Sequence, residues 1–248
     1  MHSAQAVQES LIRDRFVLYA QEIQANHATN IKWHGEFLIR MLDENNELIF
    51  PDKFIPAAER YHLMVEIDKW VIKEGFSFIK KLEDKYNGNV LCAINLSGQS
   101  VCDKDFLDFV IDELHESNIS PASVCFEITE TAAVSNFFYA EKMLEILKGM
   151  GCSFSLDDFG SGLSSFGYLK KLNVDYLKID GSFVRAMLED KKDYALVKSI
   201  NQVGKEMGMK TIAEFVESET LNSKLKEMNV DFSQGYGIAK PVPLSSLV

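Results

Sequence analysis

No apolar run in the 248 residues approaches the roughly 20 needed to cross a bilayer, so no membrane-spanning helix is expected within this chain. Its opening, from Met1 to Glu9, lacks the apolar stretch of a signal peptide and reads as the start of a domain excised from a longer protein. Cysteine is scarce. The four present, Cys92, Cys102, Cys125 and Cys152, include no Cys-x-x-Cys pair, which predicts buried, reduced thiols in a cytoplasmic protein. Cations are outnumbered, 26 Lys and Arg against 37 Asp and Glu. The resulting net charge of −11 argues against broad binding of DNA or RNA polymers, which depends on clustered Lys and Arg releasing counterions. A small phosphate-bearing ligand remains open, because a metal ion can neutralise it locally. No Pro/Gly/Ser-rich tract, internal repeat or low-complexity segment divides the chain. One domain over residues 1–248 is expected.

What is present is an alternation of short β-rich runs with longer amphipathic stretches. Strands are predicted at Arg15–Ile23, Ile31–Leu42, Val90–Leu96, Val124–Thr129, Cys152–Asp157, Tyr176–Ile179, Lys210–Glu214 and Phe232–Tyr236. Helical patterns fall at Met64–Asp84, Lys104–Glu116, Asn136–Met150 and Asp193–Met207. Gly88, Gly151 and Gly208 each stand between a helix and the next strand, where a left-handed cap is expected. Repeated strand–helix alternation implies a parallel sheet, and about eight strands in this length is the size of a (β/α)₈ barrel. The first two strands are too close for a parallel crossover and are predicted to pair as an antiparallel hairpin. The expected fold is therefore α/β, a modified TIM (β/α)₈ barrel with an antiparallel strand at the N-terminal hairpin.

In such a barrel the carboxyl ends of the strands build the active site. Those ends carry Asn95 and Ser97, then Glu127 and Glu130, Asp157 and Asp158, Lys178 and Asp180, Glu214 with Glu217 just beyond, and Gln234. On the second strand Glu36, Leu38 and Arg40 share a face by period 2, although Glu36 comes early for a parallel barrel. A lone carboxylate at a strand end reads as a helix cap or a surface ion pair. Capping does not explain Asn95, Gln234, or a lysine inside the apolar run Tyr176-Leu177-Lys178-Ile179. Clustered carboxylates repel one another and are forced to take up protons unless a cation joins them; an oxygen donor set suits Mg²⁺ or Mn²⁺. Two such ions can activate water and steady the leaving oxygen of a phosphodiester. His27, His34, His62 and His115 are scattered at polar or turn-like positions and are not expected as ligands. Ser97 and Ser155 have no histidine at nucleophile-activating spacing.

Glu36-Phe37-Leu38 with Arg40 resembles the Glu-Ala-Leu-x-Arg motif that names the EAL family. The similarity continues through Phe54-Ile55-Pro56-Ala57-Ala58-Glu59, Ile67-Asp68-Lys69-Trp70-Val71 and Asn95-Leu96-Ser97. It runs on through Phe126 to Thr131, Asp157-Asp158-Phe159-Gly160-Ser161-Gly162, Lys178-Ile179-Asp180 and Gln234-Gly235-Tyr236. The resemblance implies hydrolysis of the cyclic dinucleotide c-di-GMP to linear pGpG with two Mg²⁺ or Mn²⁺ ions, lowering the level of a bacterial second messenger. It assigns Glu36, Asn95, Glu127 and Asp157 to the first ion, and Asp157, Asp158 and Glu214 to the second, with Glu217 nearby. Lys178 would orient or polarise the attacking water, leaving open whether it or Glu214 handles the proton. Gln21, Arg40, Asp180 and Gln234 would lie at the ligand, Arg40 against phosphate, and Glu130 would brace the loop after Asp158. A homodimer is also implied. So are a sensor or GGDEF-type domain elsewhere in the full-length protein and a place at the cytoplasmic face of the inner membrane if that protein is anchored. The apolar triplet Phe137-Phe138-Tyr139, which opens the helix after the fourth strand, reads most simply as packing on the barrel, with a dimer contact as the alternative.

Some positions depart from the family pattern. Phe37 replaces Ala, facing away from Glu36; Glu22 stands where Pro is common; Ser161 and Leu163 replace Thr and Tyr; Phe215 replaces Gly. If the family Gly needs a positive φ, Phe215 is strained. None removes an implied metal ligand, which favours an enzyme over the alternatives of a weak or inactive EAL domain serving as c-di-GMP receptor or signalling scaffold.

Overall fold

A computed structural model describes residues 4–160 and 166–248. Its strands are β1 (Phe16–Ala25), β2 (Trp33–Leu42), β3 (Leu48–Ile49), β4 (Val90–Asn95), β5 (Val124–Thr129), β6 (Ser153–Phe159), β7 (Tyr176–Ile179), β8 (Lys210–Ala213), β9 (Phe232–Gln234) and β10 (Val242–Pro243). They form one sheet in the order β10-β1-β9-β8-β7-β6-β5-β4-β2-β3, and an additional β1–β2 pairing closes it into an eight-strand barrel. From β2 through β9 the barrel pairs are parallel. β1 is antiparallel to both of its barrel neighbours. The predicted hairpin is present, and β1 is the strand that runs against the rest.

The early position of Glu36 has a geometric explanation. Glu36 and Phe37 are the last β2 residues in register with β4, opposite Ala93 and Ile94. Beyond them β2 continues past the barrel rim, paired only with β1 and with the short β3. Counted from the rim, Glu36 sits at the mouth, and Arg40 stands on the extension above it. Phe37 points outward as expected, packing beneath the helix Met64–Tyr86, where a Cβ on Gly75 would lie 3.2 Å from its ring.

Helices Met64–Tyr86, Lys104–Glu116, Phe137–Gly149 and Lys191–Glu206 match the predicted amphipathic segments to within two residues at each end. Gly88, Gly151 and Gly208 hold the positive φ expected of them. The strand faces turned to the helices form the larger core, with Phe76, Phe106, Phe126 and Phe154 fully buried. Inside the barrel a smaller apolar plug of Ile23, Leu91, Ala93, Cys125, Tyr176, Ile212 and Phe232 fills the floor. His34 stacks within it, 5.1 Å from Phe232 and 5.9 Å from Tyr176. Burial, then the charges of Lys178 and Lys210, push its pKa down to about 3, so the ring is neutral. Helix Ala4–Ile12, β3 and β10 were not predicted; the two strands are two residues long and exist only as edge pairings.

One buried carboxylate ties this scaffold to the mouth. Asp68, on the inner face of helix Met64–Tyr86, accepts from the Ser97 N–H at 2.9 Å and from Ser100 Oγ at 2.7 Å. It thereby pins the turn two residues beyond Asn95. Burial pushes its pKa up to about 6 from 3.8, against those hydrogen bonds. Since the folded value is the higher one, ionising Asp68 costs stability as pH rises through that window. Asp68→Ala, which strands buried donors, is expected to destabilise by about 3 kcal/mol in urea denaturation at pH 7. Asp68→Asn is expected to gain stability relative to the parent as pH is raised from about 4 to about 7.

Candidate active site

Lys178 is the centre of the mouth. β7 carries it into the barrel with no exposed surface. Its Nζ lies 3.0 Å from Asp157 Oδ1, 3.0 Å from Glu214 Oε1, 3.1 Å from Glu127 Oε2 and 3.4 Å from Glu36 Oε2. These carboxylates come from β6, the end of β8, β5 and β2, so one ammonium gathers groups far apart in sequence. Glu36 is further held by Asn95 Nδ2 at 2.6 Å and Gln234 Nε2 at 2.7 Å. Gln234 also reaches Gln21 Oε1 at 3.4 Å, and Gln21 donates to the Ala239 carbonyl.

Adjacent strand residues point to opposite faces, so Asp157 and Asp158 should not reach one site. An irregularity in the β6–β7 register between Leu156 and Phe159 changes this. Asp158 turns into the left-handed region at φ +55, which Asp tolerates better than most residues, and donates its N–H to Asp157 Oδ1 at 2.9 Å. One oxygen each of Asp157, Asp158 and Glu214 then lies within 4.8 Å of the others.

The charges are in conflict. Four carboxylates face one ammonium at about 3 Å. Burial raises the pKa of Glu214 to about 8, Lys178 opposing and Asp157 and Glu36 adding to it. Burial also drives Glu127 well above its ordinary range, against Lys178. For Glu36 burial acts upward, but Lys178 and the donors Gln234 and Asn95 outweigh it and hold the group low. Burial, Asp157 and Asp180 push Asp158 to about 6. Lys178 itself is held well above its usual value by the carboxylates, despite burial. Glu127 Oε1 and Gln234 Oε1 are buried with no hydrogen-bond partner among the described residues. Unpartnered acceptors beside excess carboxylate, in an all-oxygen donor set, fit a hard divalent cation.

The remaining predicted residues lie around this centre. Gln21, Glu36, Arg40, Glu214, Glu217 and Gln234 line one cavity of about 430 Å³. Arg40 is buried, with its guanidinium 5.2 Å from the Phe50 ring and 5.6 Å from the Tyr19 ring. Asp180 caps the helix Gly181–Ala186, accepting from the Ser182 N–H and hydroxyl. Glu130 is buried and accepts from the Gly160 N–H at 3.2 Å, at the start of the loop after Asp158. Glu217 stands outside the three-carboxylate cluster, largely exposed, 3.4 Å from Arg185 Nε. Ser161 and Leu163 lie outside the described residues. Phe215 does hold a positive φ, +50.

Two residues escaped the sequence reading. Arg185 lines the cavity from the helix after β7, where no motif marks it. Asp68 stood in the family-like stretch Ile67 to Val71 with no role assigned to it; an acidic residue on an apolar helix face is itself the signal for a buried, bonded carboxylate.

The sequence profile described as "EAL domain" matches residues 4–241. The chain is 40% identical over 243 residues to the cyclic di-GMP phosphodiesterase PdeB of Shewanella oneidensis, covering 98% of this chain and 28% of that protein. It is 38% identical to the cyclic di-GMP phosphodiesterase PdeF of Escherichia coli K12, over 96% of this chain and 31% of that one. It thus spans about a third of the length of these relatives. Among solved structures, the PaMucR phosphodiesterase in complex with c-di-GMP superposes with a TM-score of 0.91 at 30% identity, covering 98% of both chains. The FimX EAL domain from Pseudomonas aeruginosa bound to c-di-GMP gives 0.88 at 27%, covering 96% of this chain and 95% of that one.

Because Glu214 titrates near 8 without a cation and metal ligands must be ionised, Mn²⁺ binding at pH 7 is expected to release protons. Calorimetry in buffers of differing ionisation enthalpy reads this, and Glu214→Gln lowers the number released. For the cation-free protein the folded pKa exceeds 4.5, so stability falls as pH rises from about 5 to about 8, and Mn²⁺ restores it.

Proposed function

The chain belongs to the EAL domain family, and from that premise we propose that it hydrolyses cyclic di-GMP to linear 5′-pGpG. The observation that supports this most is the convergence of Glu36, Glu127, Asp157 and Glu214 on Lys178, with Asp158 turned to the same side. Asn95 and Gln234 complete the set by fixing Glu36.

Glu36, Asn95, Glu127 and Asp157 would hold one divalent ion, and Asp157, Asp158 and Glu214 a second, with Glu217 close to it. Bound there, Mg²⁺ or Mn²⁺ supplies Lewis acidity at the phosphodiester and lowers the pKa of water. The protein's own groups do the rest. Lys178 presents an ammonium inside the carboxylate ring, where it can donate to a water oxygen and direct it at phosphorus. Glu214, ionised once a cation is bound, would stand where it can take a proton from that water; within a coupled cluster the proton belongs to the group rather than to one residue. Arg40, on the β2 extension, carries fixed positive charge above the mouth for a phosphate; Gln21 lines the same cavity, and Asp180 would approach the ligand from the side of Asp158. Glu130 restrains the loop that leads from Asp158. The buried apolar floor beneath Lys178 keeps bulk water on one side only. Exposed Phe138 and Tyr139 suit the contact of a homodimer.

Incubating purified protein with c-di-GMP and Mg²⁺ or Mn²⁺ tests this reading. Cation-dependent pGpG is expected, and Glu36→Ala should lower its rate by more than the roughly 10–100-fold that loss of a mere outer-shell partner of a metal ligand costs. Tight c-di-GMP binding without any pGpG would overturn the enzyme in favour of a receptor.

A further inference from the structure

The rim of the mouth carries a side-chain stack that the chemistry above does not use. Phe215 keeps φ +50, a conformation that costs a residue with a Cβ roughly 1 kcal/mol or more. Its ring is half exposed, so burial does not account for it. It lies directly on the backbone of Gly181, where a Cβ would come within 2.0 Å of Phe215 Cδ2. Only glycine at 181 leaves room for the ring. Over that ring sits the Arg185 guanidinium, 4.0 Å from the centroid, close enough for a cation–π contact. Arg185 Nε meets Glu217 Oε1 at 3.4 Å, and its terminal Nη1 and Nη2 form a two-donor fork. Arg185, Phe215 and Glu217 line the same cavity as Glu36, Arg40 and Glu214.

The neighbours decide what such a fork can receive. A phosphate placed on it would meet the Glu217 carboxylate beside Arg185, which repels it. An uncharged edge with two adjacent acceptors is not repelled. Guanine offers O6 and N7 in that arrangement, the pair that arginine engages bidentately. Adenine would set its N6 amino donor against the fork. Resting on the reading that the substrate is c-di-GMP, we propose that Arg185, held on Phe215 in the space left by Gly181, is a specificity-determining residue that receives the O6/N7 edge of one guanine.

The test is calorimetric binding of c-di-GMP and of cyclic di-AMP, in EDTA, to the parent, Arg185→Ala, Arg185→Lys and Phe215→Gly. The parent prefers c-di-GMP. Arg185→Ala weakens c-di-GMP about tenfold or more, as expected for a lost bidentate base contact, and changes cyclic di-AMP by less than about threefold. Arg185→Lys does not restore the preference, because an ammonium lacks the planar fork. Phe215→Gly weakens c-di-GMP in the same way without lowering Tm, since it relieves the backbone; a purely structural role would move both downward. Equal losses for the two dinucleotides, full rescue by lysine, or unchanged c-di-GMP affinity in Arg185→Ala would each overturn the assignment to Arg185 alone. A parent that neither binds c-di-GMP nor forms pGpG overturns the substrate reading, and this inference with it.

Discussion

Four carboxylates within about 3.5 Å of one fully buried ammonium cannot all keep their charge in the absence of further cations. Removing the lysine's water would be prohibitive alone, and removing the water of each carboxylate equally so. Together they reach a compromise: Lys178 stays charged, Glu36 stays ionised through its two amide donors, and Glu127 and Glu214 are pushed toward protonation. That is an arrangement with acceptors to spare, and it explains why buried oxygens of Glu127 and Gln234 lack partners among the described residues. The barrel stabilises the site through apolar packing below and around it, while the site itself carries unresolved charge.

Several local irregularities of the fold lie at that centre. β2 overshoots the rim, which brings Glu36 to the mouth and lifts Arg40 above it. The register break in β6 turns Asp158 to the side of Asp157. Asp68 anchors the turn after Asn95 from the outer helix layer, and Glu130 anchors the chain after Asp158. Phe215 accepts an unfavourable φ to hold Arg185 over the cavity. Lys178 and the carboxylates around it gather at one end of the barrel interior; the other end is filled by an apolar plug.

Much of this was legible in the sequence because barrel geometry converts strand ends into one site. Lys178 inside an apolar run and the carboxylates at successive strand ends were enough to locate the centre, and the short β1–β2 connection was enough to predict the hairpin. What pattern could not supply was anything set by two elements meeting. The β6 irregularity leaves no mark in Leu156-Asp157-Asp158, where strict alternation would place the two aspartates on opposite faces. Edge strands of two residues have no periodicity to read. Arg185 became visible only when the chain brought it over Phe215, and Glu217, grouped with the metal ligands by resemblance, is paired with that arginine at the rim.

The central claim is that this mouth is built around divalent cations that relieve the crowding at Lys178. Anomalous diffraction from crystals grown with Mn²⁺ measures it directly. Manganese ligated by Asp157, Asp158 and Glu214 is the predicted result. Ordered crystals with no manganese among these carboxylates, and Lys178 still in contact with all four partners, would contradict it.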